Sequence, residues 1–426
     1  MNLKKMMMVA AVAAAGVLLA DVSVEDVKCT QRYPWNGLVD IEYTIACDDP
    51  EAEIYVNPVG FNGDTGLTVF PTHFTGDGAT NTVKAGRHTM VWDAKADMGL
   101  FASKNFQIKM YAGKTLAPYV VVDLSSGPDG ENFPIRYSLT GPDISDDTCR
   151  TTELWLRLIP PGTFMMGSPA DELGRSDNED LHKVTITEPF YIGVFEVTYE
   201  QYYRVKGSWR NYGDKAQTYP VEWVRYSDSF ERYDYDDFYS GTIRGSLGSY
   251  LPSSTIVADR TFLKILREKT DLNGFDLPTE AQWEYACRLG TITALNDGTN
   301  LEGITGSKNL NALGRYYANG TQGVERLGAG SDKSMAVVGS YRPNAYGIYD
   351  MHGNVAELCR DAWSEHLGFA ACINPLNSTG SDVVIRGGAW DVGAGLCRSA
   401  SRRKFDQNSM SHTVGFRISC PGNLQK

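Results

Sequence analysis

A chain of 426 residues is long for one ordinary core and predicts two domains. Its 42% hydrophobic and 22% charged residues are the balance of a soluble globular protein. A formal charge of −12 argues against nucleic acid or an anionic membrane surface as partner.

Lys4 and Lys5 precede an uncharged run from Met6 to Ala20, and Asp21 follows. That run suits the apolar region of an export signal and is short for a bilayer span, so residues 1–20 are read as a cleavable signal. The expected location is secreted or periplasmic, with no later membrane span. Eight cysteines in an exported chain predict disulfides, and none has the CxxC or CxH spacing of a zinc or iron–sulfur site.

Residues 21–124 read as β structure. From Leu38 to Ile45 the pattern alternates strictly, with Val39, Ile41, Tyr43 and Ile45 on one face. Phe106, Ile108 and Met110 repeat it, and Tyr119 to Val122 is a short run of the buried-strand kind. Turn signals at Asn62-Gly63-Asp64, Gly76-Asp77-Gly78 and Lys84-Ala85-Gly86 separate the strands. This predicts a β-sandwich of immunoglobulin or fibronectin type, in which Cys29 and Cys47 would staple the first two strands. Residues 125–150, rich in Ser, Gly, Pro and Asp, read as a linker to a second domain at 151–420, with a tail at 421–426. Within that domain, residues 226–250, crowded with Tyr, Asp, Ser and Gly, predict a surface excursion. Thr279 and Gln282 form a capping box that opens a helix.

The second domain carries ordered strings: IPPGTFMMGS (Ile159–Ser168), HKVTITEPFYIGVFEVTYEQY (His182–Tyr202) and FDLPTEAQWEYACRLGT (Phe275–Thr291). PNAYGIYDMHGNVAELCRDAW (Pro343–Trp363), VIRGGAW (Val384–Trp390) and GFRIS (Gly415–Ser419) follow. In these it resembles the formylglycine-generating enzyme, or sulfatase-modifying factor, family. The resemblance implies a C-type-lectin-like fold rich in irregular loops and held by calcium. The whole chain is then α+β, an N-terminal β-sandwich followed by that fold.

Family members that make formylglycine oxidise a sulfatase cysteine in a CxPxR context, using copper(I) on two thiolates and molecular oxygen. Soft sulfur ligands select copper(I), which gives that pairing its logic. Here the first thiol position is Val392 and the serine of the oxygen pocket is Ala389, leaving Cys397 at the second position. Cys287, in EYACR, resembles a family cysteine bridged near this segment, so Cys287–Cys397 is the expected disulfide and Cys397 the alternative thiolate. Cys149–Cys420 and Cys359–Cys372 complete the proposed pairing. The family's calcium ligands fall on the Asp350 side chain, the Gly353 and Val355 carbonyls and the Glu357 side chain, hard oxygen donors that suit calcium. A second calcium site would use Asn319, Gly320 and Asp332.

His352 reads as a structural histidine. Arg386, Arg398, Arg402 and Arg417 are expected to hold carboxylates and carbonyls within the fold, and Trp155, Phe164, Phe190, Tyr191 and Trp283 to form core. Three functions are expected in order. The first is a calcium-stabilised, lectin-like domain binding a protein, peptide or glycan. The second is an oxidase acting on a sulfatase. The third is a non-haem iron enzyme, which would draw on His182 and His352.

Overall fold

The computed structural model of the chain describes residues 22–34, 36–99, 103, 105–207, 217–224, 226, 262–320 and 334–424. The export signal, residues 227–250 of the Tyr-rich excursion and Asp332 lie outside the described residues. Among those described, the fold is mostly β-sheet with few helices.

Seven strands come first: β1 (Val22–Gln31), β2 (Leu38–Cys47), β3 (Tyr55–Asn62), β4 (Leu67–Val69), β5 (Phe74–Gly76), β6 (Gly86–Asp93) and β7 (Phe106–Gly113). A short helix α1 (Ala94–Met98) follows β6. They form two antiparallel sheets, in the orders β1-β2-β6-β5 and β4-β3-β7. The alternation of β2 explains the arrangement. Val39, Ile41, Tyr43 and Ile45 are at most 2% exposed and share one core with Trp92 of β6 and Phe106, Ile108 and Met110 of β7. Each such side chain gains roughly 1.5–3 kcal/mol on burial. Trp92 stacks on Phe106 with ring centroids 5.4 Å apart.

Two expectations fail here. Cys29 stands opposite Ile41, whereas Cys47 stands opposite Val22. At about 3.3 Å per residue, six residues of β2 separate the two positions by about 20 Å, beyond any disulfide. The run at Tyr119 also belongs elsewhere. β8 (Tyr119–Asp123) lies between β9 (Ile135–Ser138) and β10 (Glu153–Ile159) in a sheet completed by β13 (Phe190–Gly193) and β19 (Ser419–Pro421). Val120, Val121 and Val122 are all fully buried because a central strand is covered on both faces. The stretch read as a linker therefore supplies the edge strand β9 and the short helix α2 (Thr148–Thr151), with Phe133, Cys149 and Arg150 buried.

The remaining strands build two small sheets. One is β11 (Gly162–Met166), β12 (His182–Ile186) and β15 (Cys372–Ile373). The other runs β17 (Arg402–Asp406), β16 (Asp382–Arg386), β14 (Ala356–Ala362), β18 (Val414–Gly415). Helix α3 (Tyr199–Lys206) packs on α4 (Phe262–Thr270), and α5 (Glu280–Arg288) packs on β11, β14 and β16. Thr279 caps α5 as predicted: its hydroxyl accepts from the Gln282 amide at 3.1 Å, while its own amide donates to the Gln282 side chain at 2.9 Å. Thr198 and Gln201 repeat the device on α3. Trp155, Phe164, Phe190, Tyr191 and Trp283 are all buried.

Candidate functional site

The segment from Arg386 to Arg402 leaves β16 and returns as β17. Gly387 and Gly388 turn it with φ of +87° and +76°, and a Cβ on Gly388 would lie 2.6 Å from the Cys397 sulfur. Only glycine meets both demands. Ala389 is buried, and Val392 packs against a small core of Leu295, Leu301, Leu310, Leu313, Tyr316 and Cys397.

The Cys397 thiol is fully buried, with the Gly393 carbonyl at 3.8 Å and the Ala389 backbone as polar contacts. Burial pushes that thiol up to about 12, so it stays protonated at neutral pH. Cys397 is the one cysteine of its cluster; Cys287 and Cys359 lie in a second core, Cys420 in a third and Cys149 in a fourth. All eight cysteines are free thiols. The expected pairs are therefore corrected: Cys287 and Cys397, and Cys149 and Cys420, are built into different cores, while Cys359 is fully buried and Cys372 is partly exposed with its thiol on the Ala370 carbonyl. Cys287 instead meets the Ser399 hydroxyl at 3.6 Å. The residues expected at the two sulfur positions do not fit copper(I): Val392 has no sulfur and Cys397 is a buried neutral thiol.

Helix α5 explains the arginines around this segment. Glu280, Glu284 and Arg288 recur every four residues and so share one face, which is buried. Arg402 grips Glu280 through two bonds of 2.7 and 2.9 Å. Arg386 and Arg288 both pair with Glu284. Arg398, fully buried, holds Glu179 at 2.6 and 2.8 Å and Glu172 at 2.6 Å. The predicted structural role of these arginines is what the structure has. His352 is structural too: its Nδ1 lies 2.7 Å from the Cys397 carbonyl, and its Nε2 accepts from the Asn296 amide at 3.1 Å. His182 spends Nδ1 on the Asp180 carbonyl.

The loop from Asp350 to Glu357 is kinked, with positive φ at Asp350, Gly353 and Asn354. One oxygen of Asp350 accepts from the Gly339 amide at 2.6 Å; the other is buried with no partner. Burial pushes its carboxyl up to about 6. Glu357 is occupied: Arg417 donates to both of its oxygens at 2.6 Å, and the Trp283 indole to one at 2.7 Å. Sequence reasoning missed a third carboxylate, Glu196. It is fully buried and accepts from the Asn354 side chain at 2.6 Å and the Val355 amide at 3.0 Å. Burial, then the charges of Asp350 and Glu357, push Glu196 well above the usual carboxylate range. Asp350 thus keeps one free oxygen of the kind calcium takes, while both oxygens of Glu357 are held by Arg417. Among the described residues no three His, Cys, Asp or Glu side chains converge as metal ligands. Asn319 spends its amide on the Tyr316 nitrogen and the Gly314 carbonyl, closing its own turn.

Beside Val392 the surface is aromatic. His412, exposed, lies between partly exposed Trp390 and Trp223, with ring centroids 5.6 and 5.9 Å away. Tyr317, 47% exposed, ties its amide to the Val392 carbonyl at 2.9 Å. These residues are distant in sequence, so no local pattern announces them.

Comparison with known proteins adds the family. Over 291 residues the chain is 26% identical to the formylglycine-generating enzyme of Bos taurus, covering 61% of this chain and 72% of that protein. It is 28% identical over 256 residues to the chaperone protein LppX of Paenibacillus barcinonensis, covering 55% and 81% respectively. Among solved structures, PvdO from Pseudomonas aeruginosa aligns over 63% of this chain and 94% of that one, at 25% identity and a TM-score of 0.44. Residues 144–420 match the family model described as a sulfatase-modifying factor enzyme 1-like domain, and to that family this chain belongs.

Proposed function

We propose that this chain is a binding member of its family, an exported protein whose lectin-like domain recognises a protein, peptide or glycan and carries out no thiol oxidation. The reading rests on one observation, the neutral Cys397 thiol buried in the same small core as Val392, where a copper(I) site needs two thiolates. The aromatic group of Trp390, His412 and Trp223 is the surface this reading assigns to the ligand. A relative named as a chaperone protein supports binding as a use of this domain. In this reading the N-terminal sheets are an immunoglobulin-like sandwich that presents the domain outside the cytoplasm. The test is incubation of the purified chain with copper(I), oxygen and a CxPxR peptide. The expected peptide mass is unchanged; conversion of the thiol to an aldehyde would establish the oxidase instead.

Calcium is the proposed structural ion. The free oxygen of Asp350 and the Gly353 and Val355 carbonyls would hold it, and its charge would offset the buried carboxylates around Arg417. Chelation is expected to lower the melting temperature, with calcium restoring it. Identical melting in chelator and in calcium would remove the ion from the account.

A further inference from the structure

A cavity of about 340 Å³ lies where the N-terminal sheets meet the family domain. Tyr55 of β3 lines it from one side, and Tyr119 of β8, Arg157 of β10 and Tyr346 from the other. Cys397, Val392, Asp350 and Glu357 are not in its wall. The volume falls at the small end of the range for small-molecule sites, about 300–1,000 Å³, and such sites favour domain junctions.

Arg157 gives the cavity its chemistry. The guanidinium lies against two aromatic rings, 4.8 Å from the Tyr119 centroid and 4.6 Å from that of Tyr346. One N–H donates, from Nη1 to the Pro118 carbonyl at 2.9 Å. Nε is buried without a partner, as is that of Arg386, but among the described residues no carboxylate pairs with Arg157. Arg157 is partly buried, and four fully buried arginines of the same domain each hold a carboxylate: Glu284 for Arg386, Glu179 for Arg398, Glu280 for Arg402 and Glu357 for Arg417. An arginine held against aromatic rings yet left without an anion has the donor pattern that a carboxylate fork completes. Space beside it is kept by two glycines. A Cβ on Gly141 would stand 3.0 Å from the Tyr119 hydroxyl, and one on Gly347 would stand 3.2 Å from it.

We infer that this junction is a second binding site, for a small acidic saccharide of the hexuronate class. The ligand's carboxylate would pair with Arg157 while its ring lies against the tyrosines. Tyrosine supplies an apolar face for the ring and a hydroxyl for its polar groups.

The experiment titrates the full chain calorimetrically with D-glucuronate, D-glucose and the dipeptide Gly-Asp. Glucuronate should bind saturably, with glucose at least about tenfold weaker, because the sugar without the carboxylate leaves Arg157 unpaired. Two variants should each weaken glucuronate about tenfold or more. Arg157→Lys keeps the charge and removes the fork, and Gly141→Val fills the space at an exposed loop position. Thermal unfolding of both confirms that they are folded. The site is overturned if glucuronate fails to bind by about 10 mM, if glucose matches it, or if both folded variants bind it undiminished. Gly-Asp binding as tightly as glucuronate would overturn the saccharide assignment.

Discussion

Arg417→Met should destabilise the chain by about 3–5 kcal/mol, the range for removing one partner of a buried ion pair. The guanidinium is fully buried and donates to both oxygens of Glu357, to the Gly193 carbonyl at 2.9 Å and to the Tyr349 carbonyl at 3.0 Å. Without it, Glu357 keeps only the Trp283 indole while facing Glu196 and Asp350 in a desolvated space. Methionine fills much of the volume but supplies no charge. The double variant with Glu357→Gln should recover a large part of the loss, since it removes the stranded charge. Denaturant unfolding of the four proteins measures this. A loss below about 1 kcal/mol for the single variant would mean that water reaches the cluster.

The second large effect is a pH dependence carried by His352. Its ring is pushed down to about 4 by burial, and its bonds require the neutral form, because protonated Nε2 cannot accept from the Asn296 amide. In the unfolded chain the same ring titrates near about 6.5. Between these values the unfolded state binds a proton that the folded state refuses, so this contribution is complete above about pH 6.5 and is lost as pH falls to about 4. The total is about 3 kcal/mol. Asp350 and Asp361, raised to about 6 and about 7, act in the opposite direction across the same window. The comparison is therefore the stability of wild type minus that of His352→Gln at each pH. That difference should shrink by about 3 kcal/mol on going from pH 7 to pH 4. A flat difference would show that His352 is solvated in the folded protein.

What could be read in the sequence depended on whether the cause was local. The period-2 face of β2 and the Thr279–Gln282 box are set by neighbouring residues, and both appear in the structure as read. Arg386 and Arg417 were legible as structural because they and their carboxylates, Glu284 and Glu357, all lie in the family strings, whereas Arg398 and Glu179 lie outside them. Strand partnership was not legible: Val120 to Val122 are buried on both faces, which says central strand but not of which sheet. Register was hidden as well, since a bulge between Glu25 and Lys28 and the pairing of Cys29 with Ile41 leave no mark in spacing. At the site, Val392 and Cys397 were found by counting along one segment. Glu196 and the Trp223–His412–Trp390 group were not, because tertiary packing alone brings their distant positions together.

The absence of a two-thiolate centre is most directly tested by titrating copper(I) into the reduced wild-type chain and Cys397→Ser against a competing chelator. Equal copper(I) affinity and stoichiometry in the two proteins is the expected result. One tightly held copper(I) in the wild type that vanishes with Cys397 would contradict it.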